Sequence, residues 1–281
     1  MNVLQGLLLG LIQGLTEFLP ISSTAHLTLA GKWMGVVSAE HPEHWTAFIA
    51  VIQLGTMAAV LIYFARDVLD ISLTFLEENV FRRMRFKDQS HVSKLGWYVI
   101  LGSVPVATFG LIFKKVIEGS LTKSLIVIAA SLIVFGILLG VSEVVARFSK
   151  NIKRISWLDA LVVGFAQVMA LVPGASRSGT TITAGLFMGM TRETAARFSF
   201  LLSIPAVMAS GLLEFRESLG FMGSQDFLVL ASATLMSAVS GYLTIAFLLR
   251  FLRRHSTNVF VVYRVVLGGA LLWMVFRHGV V

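Results

Sequence analysis

The sequence predicts an all-α integral membrane protein with six transmembrane helices and two re-entrant helical hairpins, arranged as an inverted-topology repeat. Three observations lead there: the composition is strongly apolar, six apolar runs have the length of a spanning helix, and two shorter apolar stretches resemble each other. Of the 281 residues, 56% are hydrophobic and only 14% are charged. Such a composition is typical of a chain surrounded by lipid, so we expect one membrane domain over residues 1–281.

Six apolar runs are each close to the roughly 20 residues that a helix needs to cross a bilayer. They are 48–64, 98–113, 125–145, 198–213, 227–249 and 259–276. The net charge of +8 would suggest nucleic acid in a soluble chain, but here the basic residues lie mostly in short loops. We therefore expect the lipid bilayer, and no nucleic acid, as a partner. The absence of cysteine excludes disulfides, a thiolate nucleophile and a cysteine metal site.

The two shorter apolar stretches each stop at a proline, the first at Pro20 and the second at Pro173, and hydroxyl-rich sequence follows. Proline lacks the backbone N–H and ends a helix, while unwound backbone inside a membrane is tolerated only beside protein or a water-filled cavity. We therefore predict two re-entrant hairpins, at 1–35 and 158–190. The alternative is a full span kinked at each proline.

The two hairpins also share sequence, which indicates an internal duplication. GLIQ at 10–13 corresponds to GFAQ at 164–167, and AGKWMG at 30–35 to AGLFMG at 184–189, at a constant offset of 154 positions. Between these matches, Pro20 and Ser23 correspond to Pro173 and Ser176 after a slip of one residue. We expect one repeat at approximately 1–146 and a second at approximately 156–281, each a hairpin followed by three spans.

Positive charge predicts how the two repeats are oriented. Loop 66–96 holds six lysines and arginines, loop 147–155 holds four, and the short loop between the fifth and sixth spans holds three arginines. The positive-inside rule puts these segments in the cytoplasm and both termini outside. Three spans per repeat turn the second repeat upside down, so the hairpins enter from opposite faces and can meet at a shared central site.

The second hairpin contains the motif PGASRSGTT at 173–181, in which an arginine stands among glycines and hydroxyls. Glycines allow an anion close to backbone N–H groups, and a guanidinium matches phosphoryl oxygens, so this motif predicts a phosphate site. The candidate phosphate-binding residues are Gly174, Ser176, Arg177, Ser178 and Thr181, with Gln13 and Gln53 from the first repeat. Gln53 either lines the cavity or forms a hydrogen bond between helices.

The first hairpin adds groups that the second lacks. Gln13 and Glu17 are four residues apart on one helix face, and Ser23 and His26 follow the break. An ionisable residue at membrane depth is costly and marks a functional site by default. Two alternatives stay open: Glu17 can pair structurally with Arg177, and His26 can satisfy a hydrogen bond in the core.

The segments 13–26 and 173–181 resemble the two motif regions of the bacterial undecaprenyl pyrophosphate phosphatases, the bacitracin-resistance protein family. The resemblance covers essentially the whole chain, including VIQLG at 51–55 and FSFLL at 198–202. It implies an inner-membrane enzyme that removes the terminal phosphate of undecaprenyl diphosphate, which recycles the lipid carrier for peptidoglycan synthesis. It also implies a divalent cation, Mg²⁺ or Ca²⁺, and an active site with these members: Glu17, Ser23, His26, Ser176, Arg177 and Thr181. The first acidic position of the family's ExxxE pattern is Gln13 here, which leaves Glu17 as the metal ligand.

The residues and the resemblance together allow several mechanisms. Arg177 and its loop hold the diphosphate, in a cavity open to the outer face, with the polyprenyl tail in lipid. Either Ser23 attacks with His26 as its base, or His26 or Glu17 activates a water; Glu17 can also orient the imidazole. A different class remains open, a transporter for the lipid monophosphate or another organic anion, because inverted repeats with a central site are typical of transporters. The sequence also leaves open whether the chain forms a homodimer.

Overall fold

The computed structural model describes residues 1–37, 42–114, 124–218 and 224–278, and this part of the chain contains α-helices and no strand. The helices are α1 Val3–Glu17, α2 Ser23–Trp33, α3 Pro42–Tyr63, α4 Ala65–Leu76, α5 His91–Ile112, α6 Leu125–Val145, α7 Trp157–Met169, α8 Arg177–Phe187, α9 Arg192–Ser218, α10 Ser224–Leu252 and α11 Asn258–His278. Lys115 and Lys123, in the connection between the second and third predicted spans, lie outside the described residues.

Six of these helices are long and apolar enough to cross a membrane: α3, α5, α6, α9, α10 and α11. Each contains one of the six predicted spans, apart from a terminal residue or two, so that prediction is confirmed. The apolar helices α1 and α7 are shorter, with 15 and 13 residues. Each is followed, after a short break, by an 11-residue helix, α2 or α8.

The segment 66–96, expected as a basic loop, contains the helix α4. Its apolar residues Val68 and Ile71 pack on the protein core, and the side chain of Phe75 reaches Gly96 of α5. Leu69 and Leu73 on another face are more than half exposed. A helix with apolar residues at this spacing is amphipathic. The pattern is visible in the sequence when residues 65–76 are considered apart from the basic residues that follow them.

Glycines bring α1 unusually close to α10. A side chain at Gly10 would place its Cβ 2.1 Å from the carbonyl oxygen of Ala233, and one at Gly14 would lie 2.0 Å from the Ser240 Oγ. The two positions are one turn apart on the same face of α1, so the helix backbones can meet. This packing fixes α1, and with it the residues at its C-terminal end, against a spanning helix.

The second hairpin is held in the same manner by other spans. Gly164 of α7 lies against Gly102 of α5, where an added Cβ would be 2.5 Å from the Gly102 carbonyl oxygen. Helix α8 packs between α6, α7 and α9, and most of its residues are buried. The rigid surroundings of both short helices set the position of the segments that join them.

Candidate active site

The two segments that break the hairpins have the same local structure. Ser22 and Ser176 are the N-cap residues of α2 and α8, both with positive φ, 75° and 70°. Each serine Oγ accepts a hydrogen bond from the backbone N–H three residues later, Ala25 at 3.3 Å and Gly179 at 3.2 Å. The caps satisfy N–H groups that the helix itself leaves unpaired. The equivalent serines are therefore Ser22 and Ser176, at the constant offset of 154, without the one-residue slip that the prolines suggest.

The tips of the two hairpins are in direct contact. Arg177 Nη2 donates to Glu17 Oε1 in an ion pair. The Ser178 hydroxyl donates to the carbonyl oxygen of Leu19 at 3.0 Å. A charged pair and a neutral hydrogen bond thus join segments that are about 160 residues apart in sequence.

Glu17 is the most connected polar group at this junction. Its Oε2 accepts hydrogen bonds from the Ser23 hydroxyl at 2.6 Å and from Gln13 Nε2 at 2.9 Å, while Oε1 faces Arg177. The Glu17 side chain is 4% exposed and that of Arg177 is 19% exposed. These donors compensate such a buried carboxylate for its lost contact with water. The side chain of Arg177 is the more accessible of the two.

A cavity of about 660 Å³ opens beside this cluster. Its walls are mostly apolar, with polar groups concentrated at the hairpin tips. Six of the sequence-predicted site residues line it: Glu17, Ser23, Gln53, Gly174, Ser176 and Arg177. Apolar walls with a few convergent polar groups are typical of a binding site for an amphipathic molecule. The arrangement suits a ligand with an anionic head and an apolar tail.

The other four predicted residues lie behind the cavity wall. Gln13 is fully buried and bonded to Glu17. The Ser178 hydroxyl donates its hydrogen bond to the carbonyl oxygen of Leu19 and not toward the cavity. Thr181 is also fully buried, and its hydroxyl lies 2.6 Å from both the Arg177 carbonyl oxygen and the Ser199 Oγ. These three side chains support the hairpin tips from inside the protein.

His26, the fourth of these residues, is turned toward α11. Its Nδ1 lies 2.7 Å from the carbonyl oxygen of Ser22 and its Nε2 lies 2.7 Å from the Tyr263 hydroxyl, with the two rings stacked. The group within hydrogen-bond reach of the Ser23 hydroxyl is therefore Glu17. The sequence-based prediction made His26 the base for Ser23, whereas this geometry favours the Glu17 carboxylate in that role.

Gly174 shapes the tip of the second hairpin. Its φ is +87°, which favours glycine, and an added Cβ would lie 2.5 Å from the carbonyl oxygen of Ile128 in α6. Both the backbone conformation and the close approach of α6 thus require the absence of a side chain. The predicted anion loop keeps its shape through this residue.

One important residue is absent from the sequence-based prediction. Arg264, in the middle of α11, is completely buried. Its guanidinium donates to the carbonyl oxygens of Pro20 at 3.1 Å, Gly174 at 3.1 Å and Ala175 at 2.9 Å, and to Leu132 of α6 at 3.2 Å. A single side chain therefore ties both hairpin tips to two spanning helices. An arginine inside the apolar run 259–276 is the signal that could have identified it.

The described residues contain no group of three or more histidine, aspartate or glutamate side chains placed to hold a metal ion. A cation enclosed entirely by protein ligands does not fit them. Mg²⁺, however, is commonly held by one or two carboxylates together with substrate phosphates. Glu17 is a carboxylate on the cavity wall. Oε1 of the adjacent Gln13, buried behind that wall, has no hydrogen-bond partner among the described residues. The Glu17 carboxylate therefore suits a cation that shares its ligands with a phosphorylated molecule.

The fold and the cavity together indicate a multi-pass membrane protein with an internal cavity whose lining suits an anionic, amphipathic molecule. Comparison with known families makes this specific: the model of the bacitracin resistance protein BacA family matches residues 6–270. The chain therefore belongs to the bacitracin resistance protein BacA family.

Curated relatives agree with the family match. The chain is 98% identical over 281 residues, all of both chains, to the undecaprenyl-diphosphatase of Syntrophobacter fumaroxidans. It is 45% identical to the undecaprenyl-diphosphatase of Chlorobaculum tepidum, with 98% of each chain covered. It is 47% identical to that of Chloroherpeton thalassium, with 98% of this chain and 97% of the relative covered.

Proposed function

We propose that this chain is an undecaprenyl-diphosphatase, which hydrolyses undecaprenyl diphosphate to undecaprenyl phosphate and inorganic phosphate. The reaction returns the lipid carrier to peptidoglycan synthesis and gives resistance to bacitracin. Full-length identity of 98% to a protein of that name supports the activity. The observation that carries it in the structure is the cluster of Glu17, Ser23 and Arg177 on the wall of a largely apolar cavity.

Arg177 holds the diphosphate in this proposal. Its guanidinium is planar and permanently charged, so it can bind two phosphoryl oxygens at once and offset charge that develops on the transferred group. The diphosphate must compete with Glu17 for this arginine. Substrate binding therefore releases the Glu17 carboxylate from its ion pair beside the Ser23 hydroxyl.

Ser23 then attacks the terminal phosphorus. Its Oγ forms the new P–O bond, the bond to the bridging oxygen breaks, undecaprenyl phosphate leaves, and the Ser23 proton passes to Glu17. The 2.6 Å hydrogen bond between Ser23 Oγ and Glu17 Oε2 supports this transfer. Glu17 gives this proton to the departing undecaprenyl phosphate and is ionised again. It then removes a proton from the water that attacks the phosphoserine: the water oxygen joins the phosphorus, the bond between phosphorus and Ser23 Oγ breaks, and Glu17 returns the proton to Ser23 Oγ.

Glu17, the carboxylate on the cavity wall, would hold a divalent cation that also binds the diphosphate. Such a cation supplies charge neutralisation of the phosphoryl oxygens. The site takes Mg²⁺ or Ca²⁺, since both prefer oxygen ligands. Phosphate release that persists in excess EDTA at the rate seen with added Mg²⁺ or Ca²⁺ would contradict a role for the cation.

The two helix pairs α1–α2 and α7–α8 act as re-entrant hairpins of an inverted repeat. Their matching caps at Ser22 and Ser176 support the duplication, and the contact between their tips supports entry from opposite faces. The cavity is lined by the first half of α3 and the second halves of α5 and α9. These are the parts remote from the basic segments at 66–96 and 147–155, so positive-inside orientation opens the cavity to the outer face.

Phosphate release by purified, detergent-solubilised protein tests this function. Wild-type protein should release phosphate from undecaprenyl diphosphate, and Arg177→Ala should lose that activity. Arg197→Ala is a matched control, because Arg197 also forms an ion pair, with Asp67 at 3.0 Å, but lies outside the cavity. Failure of folded wild-type protein to release phosphate with either cation would contradict the function.

One observation favours a second function, transport of undecaprenyl phosphate or another organic anion. Two short helix pairs that meet tip to tip beside a cavity are typical of secondary transporters, and a fold does not determine a function. Reconstituted vesicles separate the two: a transporter moves labelled undecaprenyl phosphate between leaflets without releasing phosphate. The phosphatase releases phosphate in detergent, where no leaflets exist.

A further inference from the structure

Gln167 is a buried residue on the cavity wall that no step described so far uses. It lies in the last turn of α7, is 1% exposed, and lines the same cavity as Glu17, Ser23 and Arg177. Among the described residues, neither Nε2 nor Oε1 of its amide has a hydrogen-bond partner. A buried amide left unpaired costs free energy, so such a side chain needs an explanation.

The duplication explains how the amide lost its partner. Gln167 corresponds to Gln13 at the offset of 154, and Gln13 Nε2 donates to the carboxylate four residues later, Glu17. The position four residues after Gln167 holds Leu171, which cannot accept a hydrogen bond. The second hairpin therefore keeps the amide of the first but replaces the acceptor with a hydrocarbon that also lines the cavity.

We propose that Gln167 is a further substrate-binding residue, whose amide binds the diphosphate head group. Nε2 donates to a phosphoryl oxygen, and Oε1 accepts from a phosphate-bound water or a protonated phosphate oxygen. The oxygens of a phosphoryl group can accept the hydrogen bond from Nε2, and a water bound to the phosphate can donate one to Oε1. The apolar tail of the lipid can do neither. Ser23 and Glu17, on the first hairpin, face the phosphoryl group that is transferred, so Gln167, on the second hairpin, binds the phosphate that stays with the lipid.

This assignment rests on the proposed phosphatase function and makes an unusual prediction about stability. A glutamine with a structural role would destabilise the protein when replaced. Gln167 has no hydrogen-bond partner to lose among the described residues, so Gln167→Leu should leave the unfolding temperature unchanged or raise it while weakening substrate binding. Weaker substrate binding without a lower unfolding temperature is expected of a residue that interacts with the substrate and not with the rest of the protein.

The test compares Gln167→Leu with Gln89→Leu. Gln89 is a matched control: it is also buried, but its Nε2 donates to Asn79 Oδ1 at 2.8 Å and to the Met84 carbonyl oxygen at 3.1 Å, far from the cavity wall. Gln167→Leu should raise KM for undecaprenyl diphosphate about tenfold to a hundredfold with a smaller change in kcat. Gln89→Leu should lower the unfolding temperature and leave KM unchanged.

A second measurement does not depend on turnover. Undecaprenyl phosphate, the lipid product, should raise the unfolding temperature of wild-type protein and of Gln89→Leu, and should raise that of Gln167→Leu less. Gln167→Leu with wild-type KM, or with a lowered unfolding temperature and an unchanged response to undecaprenyl phosphate, would overturn the assignment. Wild-type protein that releases no phosphate from undecaprenyl diphosphate would instead overturn the proposed function, so the two failures are distinct.

Discussion

The helix pairs α1–α2 and α7–α8 have the same backbone conformation at their breaks but carry different functional side chains there. Both break before an N-cap serine with positive φ, and both end near a glycine with positive φ, Gly35 at 66° and Gly189 at 83°. At the equivalent positions of the tips, the first pair has Ser23 and the second has Arg177. One backbone arrangement therefore presents a hydroxyl in one copy and a guanidinium in the other.

In the proposed mechanism, two tasks are divided between the helix pairs. The first pair carries the groups that can move a proton or form a bond, Glu17 and Ser23, with His26 behind them. The second pair carries the groups proposed to bind an anion, Arg177 and the glycine-containing loop at 173–179. Neither pair has both sets, so the proposed site exists only where the tips meet.

The largest expected effect comes from separating the two tips. Arg264→Met removes the donor that both tips share and leaves at least three buried carbonyl oxygens unpaired, at about 1–3 kcal/mol for each group. We expect phosphate release to be abolished and the unfolding temperature to fall sharply. Arg277→Met, on the same helix but exposed, should change neither. A well-folded, fully active Arg264→Met protein would show that the tips do not need this residue.

Removing the nucleophile from the first pair should have the next largest effect. Ser23→Ala deletes the hydroxyl that donates a hydrogen bond to Glu17. The value of kcat should therefore fall about a thousandfold or more, as is usual when a covalent nucleophile is lost. Thr24→Ala, the next residue along α2, should keep most of the activity. Full activity in Ser23→Ala, with no phosphoserine trapped by rapid acid quench of the wild-type protein, would exclude the covalent route.

A smaller effect is expected when the shape of the second tip is changed. Gly174→Ala forces a side chain into positive φ and against the Ile128 carbonyl oxygen, at a cost of about 1–3 kcal/mol. KM should rise more than kcat falls, because the change distorts the anion loop and leaves Ser23 and Glu17 intact. Gly269→Ala, where no atom lies within 4 Å of the added carbon, is the control. An equal rise in KM in Gly174→Ala and Gly269→Ala would contradict a specific role of the 173–179 loop in substrate binding.

The smallest expected effect comes from removing the N-cap serine that each helix pair has. Ser22→Ala and Ser176→Ala each remove one N-cap hydrogen bond, so each should lower the free energy of unfolding by about 1 kcal/mol. Equal losses, measured by denaturant unfolding in mild detergent, would confirm that the caps are equivalent. A large loss for one serine alone would break the structural parallel between the pairs.

The sequence predicts the spanning helices well because each is a long apolar run whose only requirement is to match the bilayer thickness. It does not predict α4, because the basic residues that follow mask its short amphipathic pattern. Arg264 also escaped prediction, since its acceptors are backbone carbonyl oxygens from three separate segments and no sequence pattern marks them. The side on which His26 lies depends on Tyr263, 237 residues away.

The contacts around Glu17 illustrate the same limit. Its spacing to Gln13 is helical, so that hydrogen bond follows from sequence. The hydrogen bond to Ser23 crosses the break between two helices, and its existence depends on the angle of the turn. Pairing between Glu17 and Arg177 was one of the open alternatives, and only the packing of the two tips decides it.

The measurement that tests the shared site most directly is a double-mutant cycle on kcat/KM for phosphate release, with Glu17→Gln from the first tip, Arg177→Lys from the second, and both together. Residues that act as one unit give strongly non-additive losses. We predict that the double variant is little worse than the more damaging single variant. Losses that multiply would mean that Glu17 and Arg177 act independently, and would contradict a single site built from both hairpins.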